Sequence, residues 1–84
     1  MSDIDKIREY IVFILKRRGD EESFTDDDSL VTTGRLDSMD VMEIAFFLEE
    51  NFGLDFKGSG VDQKSVDSIN LIMQLIQAQT NASS

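Results

Sequence analysis

One hydroxyl in this sequence sits where a transferable group could be attached. Ser38 lies in Leu36-Asp37-Ser38-Met39-Asp40, where a polar stretch gives way to a helical apolar pattern. Asp37 has the residue type and position of an N-cap, and Asp40, three residues on, is a weaker form of the capping-box residue. With Asp37 in that role, Ser38 occupies the first helical position and its hydroxyl is free to face solvent. An attached anion such as a phosphodiester would lie beside unpaired amides at the positive end of the helix dipole, typically favourable by about 0.3–1 kcal/mol per exposed charge. The competing reading is that Ser38 is itself the N-cap and nothing more, since serine is among the residues most favoured there.

The composition narrows the chemistry. There is no cysteine and no histidine, which removes disulfides, a thiol nucleophile, Cys-based metal sites, the usual general base and the commonest metal ligand. Any role in thioester chemistry requires a thiol from outside the chain. Seventeen acidic against eight basic side chains give a formal net charge of -9, which disfavours nucleic acid and anionic membrane surfaces and favours proteins with basic patches. Asp26-Asp27-Asp28 invites comparison with a calcium loop. Counted from Asp26, however, position six is Val31 where glycine is needed, and position twelve is Asp37 rather than glutamate, so no metal site is assigned. Asn81-Ala82-Ser83 fits the glycosylation pattern. The start, Ser2-Asp3-Ile4-Asp5, lacks the basic and apolar regions of a signal peptide, and no apolar run reaches the length of a membrane span. A cytoplasmic monomer is the expectation, with the glycosylation match a coincidence.

The elements that must position Ser38 can be read from periodicity. The chain of 84 residues, 40% hydrophobic and 30% charged, suits one domain over residues 1–84 and one modest helical core. Ile4, Ile7, Ile11, Ile14 and Leu15 form a stripe on a helix over residues 3–18, started by Ser2 and stopped at Gly19, with acids in the first turn and Lys16-Arg17-Arg18 in the last. Residues 19–37 read as a long loop anchored by Phe24, Leu30 and Leu36. The second helix begins after Asp37, with Leu36 placed to staple onto Val41, and ends at Gly53. Its core face is Val41, Ile44, Ala45, Leu48 and Phe52. A weak turn is expected within residues 58–64, where Gly58 and Gly60 oppose a stable helix. A last helix starts near Ser65, buries Val66, Ile69, Ile72, Met73 and Ile76, and frays into a tail at residues 80–84. The fold class is therefore all-α: a small three- to four-helix bundle with a long loop between helices one and two.

The order of these features is similar to the acyl carrier protein family across almost the whole chain. An acidic loop with Asp28-Ser29-Leu30 is followed by Gly34, by Leu36-Asp37-Ser38-Met39, and by an acidic amphipathic helix containing Glu49-Glu50-Asn51-Phe52-Gly53. The family's attachment motif is Asp-Ser followed by a large aliphatic residue. The resemblance implies a carrier without catalytic residues, in which Ser38 receives 4'-phosphopantetheine from coenzyme A through a phosphopantetheinyl transferase and holds acyl groups as thioesters for fatty-acid, lipid or polyketide-type synthesis. It also implies that helix two is the recognition surface for the transferase and for acyl-loading ligases or synthases with basic docking patches. There Met39, Met42 and Phe46 form a second stripe for contact, with Asp37, Asp40, Glu43, Glu49 and Glu50 as an acidic rim for steering. Met39 in place of leucine, Gly34-Arg35-Leu36, Phe46-Phe47 and the two glycines depart from housekeeping fatty-acid carriers. The Gly-x-Leu-Asp-Ser form also resembles aminoacyl carriers, such as D-alanyl carriers, and an unmodified helical interaction module is the third alternative.

Overall fold

The computed structural model describes residues 2–56 and 61–82. Three α-helices and one short 3-10 turn make up its regular structure, in the order α1 (Asp3–Arg17), α2 (Ser38–Phe52), the 3-10 turn (Gln63–Val66) and α3 (Ile69–Ala82), and no strand occurs among the described residues. The expected all-α class is observed.

The ends of α1 and α2 have local chemical causes. The Ser2 hydroxyl accepts from the Asp5 amide at 3.3 Å and starts α1, while Arg18 closes it and Gly19 turns the chain away at φ 83°. Asp37 and Asp40 form a reciprocal capping box at the start of α2. At its other end Gly53 adopts φ 69°, a left-handed conformation that carries little penalty without a Cβ, and its amide reaches the Glu49 carbonyl at 3.2 Å.

The last helix differs from expectation. Rather than beginning near Ser65, α3 starts at Ile69, because two separate caps divide the segment. Asp62 accepts from the Lys64 amide at 3.0 Å and sets off the 3-10 turn, whereas the Ser68 hydroxyl accepts from the Leu71 amide at 3.2 Å. The turn expected at residues 58–64 is found as the 3-10 turn shifted to Gln63–Val66; Gly58 and Gly60 lie outside the described residues. The helix also continues to Ala82, three residues into the stretch expected to fray.

The three helical stripes meet in one core. Ile7, Ile11, Ile14 and Leu15 from α1, Val41, Ile44 and Leu48 from α2, and Ile69, Ile72 and Ile76 from α3 are buried together. Leu30 and Leu36 enter it from the loop, Val66 from the 3-10 turn, and Leu54 from just beyond α2. Phe24, Phe52 and Met73 pack partly buried against this cluster. Tyr10 of α1 stacks on Phe47 of α2, with ring centroids 4.2 Å apart and planes 11° from parallel. No helix among the described residues is long and apolar enough to cross a membrane.

Candidate functional site

Ser38 is the first residue of α2 and is exposed. Asp37, in an extended conformation at φ -105° and ψ -176°, is the N-cap. Its carboxylate accepts from the Asp40 amide at 2.9 Å, and its own amide donates to Asp40 Oδ2 at 3.0 Å. The reading in which Ser38 is merely the cap is therefore overturned: Asp37 does that work, and the Ser38 hydroxyl makes no hydrogen bond among the described residues.

The electrostatics around Ser38 differ from the expectation of unpaired amides. The amide of Asp40, together with the nearby Arg18 guanidinium, holds the Asp37 carboxyl below the usual carboxylate range despite the opposing effect of burial. The positive end of α2 is thus already occupied by an ionised side chain. What offsets a second anion there is Arg18, whose Nη1 lies 3.2 Å from Asp37 Oδ2 and also donates to Asp40. Two arginines at the C-terminal end of α1 reach across to α2: Arg17 is 2.6 Å from Glu43 and 4.0 Å from Asp40, and Arg18 holds Asp37 and Asp40.

The expected docking residues divide accordingly. Met39, Met42 and Phe46 are 67%, 53% and 58% exposed, so the second stripe faces solvent as predicted. Glu49 and Glu50 are exposed and pair with no cation among the described residues. Asp40, however, is only 5% exposed. It belongs to the cap and the ion cluster, and the acidic rim loses it. Glu43 is half-buried and bound to Arg17, and its carbonyl accepts from the Tyr10 hydroxyl at 3.4 Å. It is a tie between α1 and α2 rather than a free acid. Asp37 is exposed but committed to the cap and to Arg18.

Beside Ser38 opens a groove of about 340 Å³. Val41, Met42, Ala45 and Phe46 of α2 line one side, Phe56, Val61 and Gln63 the other, and Ser38 and Glu49 also border it. Its lining is mainly hydrocarbon, in a size range suited to small ligands. Sequence reasoning reached the α2 side of this groove but not Phe56 and Val61, which lie in a segment without periodicity, nor the arginine pair. The run Lys16-Arg17-Arg18 is read from sequence only as a complement to the α1 dipole, because nothing local says that it reaches a helix 22 residues away. Among the described residues no cluster of three or more acidic, histidine or cysteine side chains could hold a metal.

No curated protein and no solved structure matches the chain. The family described as phosphopantetheine attachment site matches residues 5–69, from the first turn of α1 to the first residue of α3, with the Asp37–Ser38 start of α2 and the groove beside it inside the matched span. That span covers well over half of the chain, and with it the chain belongs to the phosphopantetheine attachment site family, whose members are carriers bearing a covalently attached 4'-phosphopantetheine group.

Proposed function

We propose that this protein is an acyl carrier whose 4'-phosphopantetheine is attached to the Ser38 oxygen. The observation that carries this is the division of labour at the start of α2: Asp37 is the N-cap, and Ser38 stands exposed with its hydroxyl uncommitted. The chain supplies no strong base beside it: it has no histidine, and the Asp40 amide and Arg18, by lowering the Asp37 carboxyl below its usual range, leave that carboxylate a poor proton acceptor. Removing the Ser38 proton therefore falls to the transferase. When attached, the group supplies the terminal thiol that a sequence without cysteine lacks.

An acyl rather than aminoacyl cargo is favoured by the groove, whose Val41, Ala45, Phe46, Phe56 and Val61 walls suit hydrocarbon. The protein acts in the cytoplasm as a single unit, passed between a phosphopantetheinyl transferase and the ligases or synthases that load and use the cargo. Incubation with coenzyme A and a broad-specificity transferase should add one phosphopantetheine mass to the parent and none to Ser38→Ala. Labelling of both chains would move the site elsewhere, and labelling of neither would reject the carrier role. A panel of activating ligases separates the cargoes, since loading by amino acids alone would replace the acyl reading.

A further inference from the structure

Three carboxylates at the start of α2, those of Asp37, Asp40 and Glu43, share two guanidiniums from α1, and the two are held differently. Arg17 is fixed from several sides: it lies 2.6 Å from Glu43 and 4.0 Å from Asp40, with its guanidinium carbon 5.6 Å from the centre of the Phe13 ring. Arg18 meets the residue before Ser38 and the residue two after it, Asp37 and Asp40, both through Nη1. Its Nε and Nη2 donors make no hydrogen bond among the described residues, and its side chain is 35% exposed. A guanidinium offers its donors as a rigid planar fork that matches phosphate oxygens two at a time. Half of that fork is idle at the helix turn that carries Ser38.

We propose that Arg18 is the counter-charge of the phosphodiester formed on Ser38, turning from Asp37 to the new group while it keeps Asp40. The inference rests on the reading of Ser38 as the attachment site. In attachment the Ser38 Oγ–phosphorus bond forms as the phosphoanhydride bond of coenzyme A breaks and the adenosine bisphosphate portion leaves; the serine proton passes to the transferase, and a singly charged phosphodiester remains. A fourth anion then joins three carboxylates that already outnumber their arginines. Which of the three gives way follows from burial. Asp40 is 5% exposed, so unpairing it is costly, and Glu43 is held by Arg17. Asp37 is exposed and retains the Asp40 amide at 2.9 Å when Arg18 leaves it. Loss of Arg18 therefore costs Asp37 least. The tie between α1 and α2 survives through Asp40, and the C-terminal end of α1 differs between the unmodified and modified chains.

The test converts the parent, Arg17→Gln and Arg18→Gln with coenzyme A and a broad-specificity transferase, checks conversion by mass and folding by far-UV circular dichroism, and reads the change in Tm on conversion. At ~150 mM sodium chloride, where the Debye length of about 8 Å leaves only neighbours interacting, conversion should lower the Tm of Arg18→Gln by about 2 °C or more beyond its effect on the parent, as an uncompensated like-charge contact requires in a domain of this size. Arg17→Gln should follow the parent within about 1 °C. In proton–nitrogen correlation spectra of the parent, the Arg18 Nε–H signal should move on conversion and that of Arg17 should stay, a readout that stands even where Arg18→Gln does not fold. A conversion effect on Arg18→Gln equal to that on the parent, or an Arg18 Nε–H signal that stays in place, overturns the inference alone. A parent that takes no label even with excess transferase, or a Ser38→Ala chain that takes it, overturns the attachment reading beneath it.

Discussion

Asp40 shows how a single carboxylate can close two structures at once. It is 5% exposed, a position in which an ionised group is costly unless it is both paired and hydrogen-bonded. Here Oδ2 accepts from the Asp37 amide at 3.0 Å and from Arg18, and Oδ1 lies 4.0 Å from Arg17. The capping box that frees Ser38 is thus also the point where α1 is fastened to α2. Asp40→Ala strands the Asp37 amide and removes the main partner of Arg18, and should destabilise the fold by roughly 1–3 kcal/mol. Asp40→Asn retains an acceptor for the amide and should lose less. Urea unfolding of both variants decides, and equal losses would assign the effect to charge alone. The sequence made half of this legible. Spacing of three from Asp37 marks a capping box, because that motif is local. Burial of Asp40 was not legible, since it depends on arginines at the far end of another helix, and a rim residue and a buried tie look alike in sequence.

At the scale of elements, the 19–37 loop is held by unrelated means in each part. Leu30 and Leu36 are core residues. Arg35 grips Asp20 through two nitrogens at 2.9 and 3.1 Å, donates to the Glu22 carbonyl at 2.6 Å and covers the Phe24 ring. The Asn70 amide donates to the Asp26 carbonyl at 3.0 Å. Asp67 accepts from the Val31 and Thr32 amides at 2.8 and 2.9 Å and from the Thr32 hydroxyl at 2.9 Å. Phe24, Leu30 and Leu36 could be picked out as anchors because isolated apolar residues in a polar stretch have few other uses. Arg35, Asp67 and Asn70 could not, since a polar side chain that binds backbone has no periodicity, and the Asp67 contacts span about 36 residues. The same diversion of Asp67 toward the loop accompanies the late start of α3, which is capped by Ser68 instead. Burial alone would push the Asp67 carboxyl up, but the Thr32 and Val31 donors outweigh it and hold it below the usual range. Asp20 is lowered as well, chiefly by Arg35, and Asp37 chiefly by the Asp40 amide. A carboxyl depressed in the folded state contributes stability that is complete above its unfolded value near 3.9 and is lost as pH falls through the lower folded value. Tm should therefore decline on acidification below about pH 5. Asp67→Asn should start from a lower Tm at neutral pH and show a smaller acid decline; an unchanged acid slope would remove Asp67 from the clasp.

On the scale of the whole molecule, the balance between net charge and ion pairing gives a prediction of opposite sign to a count of salt bridges. All four arginines are paired, Arg8 with Asp5 and Asp26, Arg17 with Glu43, Arg18 with Asp37 and Asp40, and Arg35 with Asp20, while no lysine forms an ion pair among the described residues. If these mostly exposed bridges dominated, added salt would weaken the fold. Each exposed pair, however, contributes only about 0–1 kcal/mol, and the remaining charge is large, at -9 overall. The molecule measures 39 × 28 × 20 Å. At ~10 mM salt the Debye length is about 30 Å, so acids on opposite faces repel one another; at ~150 mM it is about 8 Å, and only neighbours interact. The Arg17–Glu43 contact at 2.6 Å and the Arg35–Asp20 contact at 2.9 Å are well inside both lengths. Raising salt over that interval thus removes mainly self-repulsion, which destabilises a compact state of high net charge. Tm in sodium chloride should rise between these concentrations, and the choice of chloride over sulfate keeps preferential exclusion from contributing to the rise. A falling Tm would mean that the arginine ties, and the Arg17–Arg18 clamp at the start of α2 above all, outweigh the field of the whole chain.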